Sequence, residues 1–230
     1  MVRKPGPLVA SGRDSDIFEY GPDEVLRRSR HARSMAIEAR TMEYARARGY
    51  PVPAVSELSD DGTELVMERV EGPVLLAAMG RQPWTIRRHG AQLADLHRQL
   101  HEIPAPDWVD DAPYGTGDRL VHMDLHPLNV ILSAQGPVVI DWPRAARGPG
   151  EADVAITWVL LAAGGIPAGR LKAALLGLGR SMLVKSFLAP FDREPVRALL
   201  GGAVKWKLTD PNMTAPEQQA MRSLVAEPRP

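Results

Sequence analysis

Residues 121–142 read VHMDLHPLNVILSAQGPVVIDW, and this stretch decides which fold the sequence predicts. Two apolar runs, Val130–Leu132 and Val138–Ile140, lie on either side of Ala134-Gln135-Gly136. Short apolar runs separated by a glycine-containing turn are typical of a β-hairpin. Polar residues crowd both ends of the predicted hairpin, so they are either ordinary turn chemistry or an active site.

Two acids and an amide stand out among these polar residues: Asp124, Asn129 and Asp141. Because paired strands lie about 4.8 Å apart, Asn129 before one strand and Asp141 after the other are expected within a few ångströms of each other. Their oxygen atoms suit Mg²⁺, which phosphoryl-transfer sites hold with few protein carboxylates plus phosphates and water. Asp124, on the loop upstream, is then the candidate to accept a hydroxyl proton. Asp and Asn are also common beside hairpins, and the spacing alone leaves both interpretations open.

The composition of the whole chain limits its partners. The 230 residues contain 28 Lys plus Arg and 28 Asp plus Glu, so bulk charge predicts neither a nucleic-acid nor an anionic membrane partner. The chain has no cysteine, which excludes disulfides, thiolate metal sites and a cysteine nucleophile. The longest apolar run, near residues 154–166, is too short and too interrupted by Gly to span a bilayer. We expect a soluble, cytoplasmic protein.

The first seventy residues predict short strands and one helix. Gly, Pro and Asp separate the apolar segments, and an Ala-, Arg- and Glu-rich segment that stops at Gly49 is typical of a helix. The predicted elements are strands Pro7–Ala10, Asp16–Tyr20 and Glu24–Arg28, a helix over Ser29–Arg48, and a hairpin of Val52–Leu58 with Thr63–Val70.

Beyond Gly72 the pattern becomes mostly helical. Apolar residues at helical spacing predict a helix over residues 84–103. Further helical segments fill residues 151–226, with interruptions at Gly164–Pro167, Pro190 and Asp210–Asn212.

These patterns together predict an α+β chain with two lobes. The N-terminal lobe covers residues 1–70, a hinge lies near residues 67–72, and a helical C-terminal lobe covers residues 73–230. Clefts between lobes are where small ligands usually bind.

The order of the motifs resembles a known enzyme family. HMDLHPLN (residues 122–129) followed by VVIDW (residues 138–142) resembles the catalytic loop and the metal loop of the aminoglycoside phosphotransferase and choline kinase family. That family is a branch of the protein-kinase-like fold, in which protein kinases have His-Arg-Asp and Asp-Phe-Gly at these places. The resemblance implies a small antiparallel sheet with one helix, followed by a mostly helical lobe.

The resemblance also implies contacts with a nucleotide. SGRDSDIFEYG (residues 11–21) resembles the family's shortened phosphate loop, which makes Gly12 and Ser15 candidate phosphate contacts. EVLRR resembles the strand with the phosphate-binding cation, where strand alternation favours Arg27 and Arg28 is the alternative. The following helix points to Glu38 as the partner of that cation, and a solvated carboxylate on a helix face is the ordinary alternative.

The segment LVMERVEG (residues 65–72) resembles the family's hinge. Main-chain groups of Glu68 and Val70 would then bond the adenine edge, with Met67 behind it. A methionine on an alternating strand is more often part of a core.

Further candidates lie around the catalytic loop. By the resemblance, His122 braces the loop, His126 reaches the transferred phosphate, and Asp153 begins the next helix and stabilises the loop. An ordinary helix N-cap would also explain Asp153. His97 and His101 lie four residues apart, but no acidic or cysteine partner accompanies them, so structural histidines are favoured over zinc ligands.

The function implied by the resemblance is transfer of the γ-phosphate of ATP, with Mg²⁺, to a hydroxyl of a small molecule, such as an aminoglycoside-like antibiotic or a metabolite. Asp124 and His126 would be catalytic, and Asn129 and Asp141 would bind the metal. A polycationic acceptor needs an acidic wall, for which the scattered candidates are Asp110, Asp111, Glu151, Asp210 and Glu217. The alternatives are a silent nucleotide-binding protein and, less in keeping with the short segment after Asp141, a protein kinase.

Overall fold

Strands of the first seventy residues form one antiparallel sheet in the computed structural model, which describes residues 4–12, 14–163, 170–211 and 213–226. The strands are β1 (Leu8–Ser11), β2 (Ser15–Glu19), β3 (Glu24–Ser29), β4 (Val55–Leu58) and β5 (Glu64–Glu68), in the order β1-β2-β3-β5-β4. Because β3 pairs with both β2 and β5, it is a central strand. Its residues Val25, Leu26 and Arg27 are buried.

The helix α1 (Ala36–Arg46) follows this strand and buries Ala39, Met42 and Ala45. The prediction that the helix starts at Ser29 is wrong. Ser29 instead ends β3 opposite Ser15, and the Arg30 amide donates to the Asp14 carbonyl at 2.9 Å. Sheet pairing therefore overrides the helical composition of the segment, as tertiary contacts often override local propensity.

The rest of the chain is mostly helical, and the α+β fold class is confirmed. The helices are α2 (Leu75–Arg81), α3 (Ile86–His101), α4 (Gly150–Ala163), α5 (Arg170–Leu188), α6 (Arg193–Lys207) and α7 (Ala215–Ala226), with a 3₁₀ turn at Pro83–Thr85. Strand β6 (Arg119–Val121) pairs with β9 (Ala146–Gly148), and β7 (Val130–Ser133) pairs with β8 (Gly136–Val139). The predicted interruptions at Gly164–Pro167 and at Asn212 lie outside the described residues.

The chain divides into two compact units, Met1–Pro73 with Val130–Ala145, and Val74–Asn129 with Ala146–Pro230. The β7–β8 hairpin thus clusters with the sheet, although the sequence placed it in the lobe over residues 73–230. The Leu132 amide donates to the Pro73 carbonyl at 2.9 Å, and the Val139 amide donates to the Pro51 carbonyl at 2.8 Å.

The backbone at Gly72 lets this hairpin approach closely. Gly72 has a φ of 144°, and a Cβ at this position would overlap the carbonyl oxygen of Leu132. Only glycine adopts this conformation readily, so the predicted hinge segment ends at a glycine that the packing requires.

The core of the second unit includes α3 and α4. Leu93, Leu96 and Leu100 of α3 are buried, at the helical spacing that predicted this element. Helix α4 is apolar around most of its surface, and Ile156 and Val159 are fully buried. A helix of this kind is expected at the centre of a core. None of the described helices is long and apolar enough to cross a membrane.

Candidate active site

Arg27 lies at the centre of a buried charge cluster in the first unit. Its guanidinium donates to Glu38 Oε1 at 2.5 Å, to Asp141 Oδ1 at 3.1 Å and to Ser15 Oγ at 2.8 Å. The side chains of Arg27 and Glu38 are 10% and 4% exposed, whereas that of Asp141 is 42% exposed. The structure therefore brings together four predicted site residues, and Glu38 is not a solvated surface carboxylate.

Glu38 also holds the segment that follows β8. Its Oε1 accepts the Trp142 amide at 3.2 Å, and the buried indole of Trp142 donates to the Val139 carbonyl at 3.1 Å. Burial raises the pKa of Glu38, while the charge of Arg27 and the Trp142 amide oppose that rise. Asp141, one residue earlier, has a φ of 68°, a left-handed conformation that is strained outside glycine.

Arg28, the alternative cation, has a different environment. It donates to Glu64 Oε1 at 2.7 Å, and its guanidinium lies 5.1 Å from the centroid of the Phe18 ring. The side chains of Arg28 and Glu64 are 43% and 33% exposed. It is Arg27 that contacts Glu38, because alternation along β3 turns the two arginines to opposite faces.

The remaining predicted nucleotide contacts lie along the sheet. Gly12 is exposed between β1 and β2, and Met67 is half-buried in β5. Glu68 ends β5, and its side chain accepts the Ala54 amide at 3.0 Å. Val70 follows the strand and is half-buried.

In the second unit, Asp153 of α4 anchors the loop that precedes β7. Its Oδ1 accepts the Met123 amide at 2.7 Å, and its Oδ2 accepts the His122 amide at 3.0 Å and lies 3.1 Å from His101 Nε2. Burial acts to raise the pKa of Asp153, but the hydrogen bond from His101 and the nearby imidazoles outweigh it, so the pKa lies well below its usual value. Since α4 begins at Gly150, Asp153 lies in the first turn and is not the N-cap.

The anchored loop presents Asp124. Its carboxylate accepts no hydrogen bond from the described residues, and its Oδ1 is a buried atom. The side chain as a whole is 17% exposed, so that exposure belongs to its other atoms. His126 Nε2 lies 3.8 Å from Oδ1, and His126 Nδ1 accepts the Leu128 amide at 3.3 Å. A buried carboxylate oxygen without a hydrogen bond is costly, and the exposed part of this carboxylate is available to a hydroxyl donor.

Asn129 closes the same loop. Its Nδ2 donates to the Asp124 carbonyl at 2.9 Å, and its amide donates to the His126 carbonyl at 2.8 Å. These bonds use the nitrogen atoms of Asn129, so the side-chain oxygen is the atom left to bind a metal. The amide oxygen of Asn129 and the carboxylate of Asp141 are the kinds of donor that Mg²⁺ prefers, and the chemistry of the two residues fits that ion.

His97 is connected to the loop of Asp124 through Thr157. Its Nδ1 lies 2.8 Å from the Leu93 carbonyl oxygen and its Nε2 lies 2.9 Å from Thr157 Oγ1, which lies 2.8 Å from the Leu125 carbonyl oxygen. Burial lowers the pKa of His97 to about 4, so the ring is neutral at pH 7. In the described ranges, no group of three or more His, Cys, Asp or Glu is placed to hold a metal.

Lys207, which the sequence did not bring to attention, lies beside Asp124. Its Nζ is 3.8 Å from Asp124 Oδ1 and 3.2 Å from Asp210 Oδ2, and its side chain is 7% exposed. A Lys and an Asp three residues apart look like an ordinary surface pair in the sequence. The one sequence feature that pointed to this region was Asp210, which was a candidate for an acidic wall.

The other acidic candidates each have their own neighbours. Asp110 and Asp111 are exposed, and Asp111 Oδ1 accepts from Arg147 Nε at 2.8 Å. Glu217 accepts the Thr214 hydroxyl at 2.7 Å. Glu151 lines a cavity of about 400 Å³ in the second unit, together with His101, Glu102, Arg119 and Phe191. None of these contacts joins the candidate acids into one acidic wall.

Solved structures with the same fold are distant in sequence. A choline/ethanolamine kinase family protein from Mesorhizobium loti is 15% identical, with a TM-score of 0.64 and coverage of 97% of this chain and 89% of that one. An amicoumacin kinase in complex with AMP-PNP, Ca²⁺ and amicoumacin (Ami) is 16% identical (TM-score 0.57, coverage 96% and 86%). An aminoglycoside phosphotransferase in a ternary complex with AMP-PNP and hygromycin B is 15% identical (TM-score 0.55, coverage 96% and 92%).

These similarities show the protein-kinase-like fold that the sequence predicted. A comparison with curated proteins finds no match. The sequence itself matches the phosphotransferase enzyme family over residues 7–119 and 105–198, which together span most of the chain. The loops around Asp124 and Asp141 both lie within the matched residues, and the chain belongs to the phosphotransferase enzyme family.

Proposed function

We propose that the chain transfers the γ-phosphoryl group of ATP, with Mg²⁺, to a hydroxyl group of a small molecule. The observation that supports this most is the state of Asp124. Asp153 fixes the two amides before it, Asn129 fixes its carbonyl, and yet its carboxylate accepts no hydrogen bond from the described residues. A loop held by these hydrogen bonds, whose carboxylate has no hydrogen-bond donor among the described residues, is suited to accept the proton of an acceptor hydroxyl.

The transfer then follows from the chemistry of the two partners. The acceptor oxygen forms a bond to the γ-phosphorus while the bond from that phosphorus to the β–γ bridging oxygen breaks, and ADP leaves. The hydroxyl proton passes to the Asp124 carboxylate, and His126 contacts the transferred phosphoryl group. In reactions of this type the protein contributes mainly positioning and charge neutralisation.

Residues of the first unit would bind the nucleotide. A guanidinium has five N–H groups, and Arg27 uses three of them for Ser15, Glu38 and Asp141, so two remain for the α- and β-phosphates. Ser15 accepts from Arg27 and keeps its own O–H for a phosphate oxygen, beside the exposed backbone of Gly12. Glu38 holds the guanidinium in place.

The adenine and the metal complete the proposal. Main-chain groups of Glu68 and Val70 would bond the adenine edge, with Met67 behind it. Asn129 and Asp141 would hold Mg²⁺, which when bound neutralises charge on the phosphate oxygens.

A small acceptor is favoured over a protein. Residues 142–149 alone join Asp141 to α4, and three of them form β9, so this segment leaves no room for a long activation loop. Amicoumacin and hygromycin B, bound by two of the similar structures, are hydroxyl-bearing antibiotics of the kind proposed.

The test is an assay of ADP formation from ATP with hygromycin B, amicoumacin, choline, ethanolamine and further hydroxyl compounds. We expect Mg²⁺-dependent ADP formation with one acceptor class, and its loss, by about 100-fold or more, in both Asp124→Asn and Asp141→Ala. The control Asp95→Asn removes an exposed aspartate of α3 and should retain full activity.

Two outcomes would overturn the proposal. One is wild-type turnover in both site variants. The other is thermal stabilisation by MgATP with no transfer to any acceptor, since a ligand that binds only the folded state stabilises it by mass action. That second result would indicate the silent nucleotide-binding protein instead.

A further inference from the structure

Lys207 is a buried lysine at the end of α6 that neither the sequence motifs nor the family match explains. The residue is 6% exposed. A buried ammonium is costly unless it is paired, and the side chains of its two partners are also largely buried, at 6% for Asp210 and 17% for Asp124. Lys207 is the last residue of α6, and the negative end of the helix dipole at this C-terminus also favours a cation.

The two contacts of Lys207 differ in kind. Its Nζ is 3.2 Å from Asp210 Oδ2, a direct charge-assisted contact, and the Asp210 amide donates to the Lys207 carbonyl at 3.1 Å. Asp210 therefore tethers the ammonium through a tight turn. The 3.8 Å distance from Nζ to Asp124 Oδ1 is too long for a hydrogen bond, but opposite charges still attract at that range in a buried place.

The same oxygen of Asp124 meets a second nitrogen. His126 Nε2 also lies 3.8 Å from Oδ1, and because His126 Nδ1 accepts the Leu128 amide, Nε2 is the ring nitrogen that carries a proton. Oδ1 thus has an ammonium nitrogen and an imidazole nitrogen as neighbours, each at 3.8 Å. Contacts of catalytic groups are often long in ligand-free proteins and shorten when substrate binds.

We propose that Lys207, tethered by Asp210, is a positioning residue for Asp124. It attracts Oδ1 into the buried side of the loop, so that the other oxygen, Oδ2, faces the acceptor hydroxyl. This inference rests on the proposed function for its consequence in catalysis, but the placement of the Asp124 carboxylate is a property of the protein alone. It also means that Asp210 serves Lys207 and not a cationic acceptor.

The kinetic test compares Lys207→Met with Lys205→Met, which removes an exposed lysine from the same helix. With the acceptor that the wild type phosphorylates best, Lys207→Met should lower kcat by about 100-fold, the loss that a misplaced group of this kind causes, and should leave the KM for ATP within about twofold. Lys207→Arg should restore most of kcat, and Lys205→Met should match the wild type. Wild-type kcat in folded Lys207→Met would overturn the proposal.

A second measurement does not depend on turnover. In protein labelled with ¹³C at the aspartate carboxyl carbons, the Asp124 signal, identified by its loss in Asp124→Asn, should shift in Lys207→Met and not in Lys205→Met. An unchanged Asp124 signal would overturn the positioning role even if no acceptor is found, whereas a shifted signal without any transfer would count against the proposed function only.

If Lys207→Met does not fold, Asp210→Asn gives the decisive comparison. This variant keeps the ammonium and weakens its tether, so we expect a kcat reduced by about 10-fold, unchanged KM for ATP and a shifted Asp124 signal. Asp210→Asn with wild-type kcat and an unshifted signal would overturn the proposal.

Discussion

Two buried carboxylates hold the two site loops, one in each unit, and they differ in how their charge is compensated. Glu38 lies in the first turn of α1 and accepts from Arg27 and the Trp142 amide. Asp153 lies in the first turn of α4 and accepts two loop amides and a contact from His101. Burial raises the pKa of Glu38, whereas the donors around Asp153 lower its pKa in spite of burial. Asp153 is stabilised as an anion by several fixed groups, while Glu38 depends largely on one guanidinium that it shares.

The two carboxylates also hold different backbone positions in the two loops. Asp153 fixes Met123, whose φ of 62° is left-handed, directly before Asp124. Glu38 fixes Trp142, directly after the left-handed Asp141. Strained residues persist where the surroundings determine them firmly. Backbone groups of the Asp124 loop are held by the side chains of Asp153 and Asn129. The loop of Asp141 is held by Glu38 together with Arg27, a cation that would also bind phosphate.

The largest expected effect is the loss of stability when Asp153 can no longer hold the loop of Asp124. Asp153→Asn turns one acceptor into an NH₂ group that faces an amide or His101, and it removes the negative charge that the other donors face. We expect the free energy of unfolding to fall by about 3–5 kcal/mol, because two or more buried hydrogen bonds to a charged acceptor are weakened or lost. Urea denaturation measures this. Glu151→Gln, in the same turn of α4, should change stability by less than about 1 kcal/mol. Equal stabilities of the two variants would show that the loop does not depend on Asp153.

Local chemistry in the sequence was sufficient for the elements that pair nearby. The turn Ala134-Gln135-Gly136 predicts the β7–β8 hairpin, and alternation along one strand is enough to turn Arg27 away from Arg28. The resemblance supplied Glu38 and Asp153 as partners, and the structure shows both as buried anchors. The sequence did not predict which backbone amides these carboxylates bind, because nearly every residue has an amide and the sequence does not distinguish one from another.

Contacts between distant residues could not be predicted in the same way. Lys207 and Asp124 are far apart in the chain, and only the packing of α6 brings them together. The strands β6 and β9 have three residues each, too few to show a period of two. The start of α1 was misplaced because Ser29 pairs across the sheet, which its own neighbours in the sequence do not reveal.

The second prediction, of intermediate size, concerns how the free energy of unfolding depends on pH. Because the folded-state pKa of His97 is lowered from 6.5 to about 4, its contribution to stability is complete above pH 6.5 and is lost as pH falls toward 4. The difference corresponds to about 3 kcal/mol. Asp153, whose pKa is also lowered, adds a further loss below its usual value of 3.8. Glu38 has a raised pKa, so its contribution has the opposite sign and is lost as pH rises.

Denaturation of the wild type and His97→Gln between pH 7 and pH 4 measures this effect. The wild type should lose stability across that interval, and His97→Gln should show a smaller slope because its amide does not titrate. Arg98→Gln, an exposed neighbour on α3, should keep the wild-type slope. Identical slopes in all three proteins would mean that acid sensitivity does not originate around His97.

The smallest effect concerns Glu38 itself. Glu38→Gln keeps an oxygen for the Trp142 amide but removes the charge that faces Arg27, so a loss of about 1–3 kcal/mol is expected, the range for a weakened buried hydrogen bond. Glu64→Gln, at the partly exposed partner of Arg28, should cost less than about 1 kcal/mol. Because Arg27 also contacts Asp141, loss of the Glu38 charge should leave the guanidinium to that carboxylate and raise the KM for ATP. If Glu38→Gln instead destabilises the protein as much as Asp153→Asn, the two carboxylates are equivalent anchors and the contrast between the two loops is wrong.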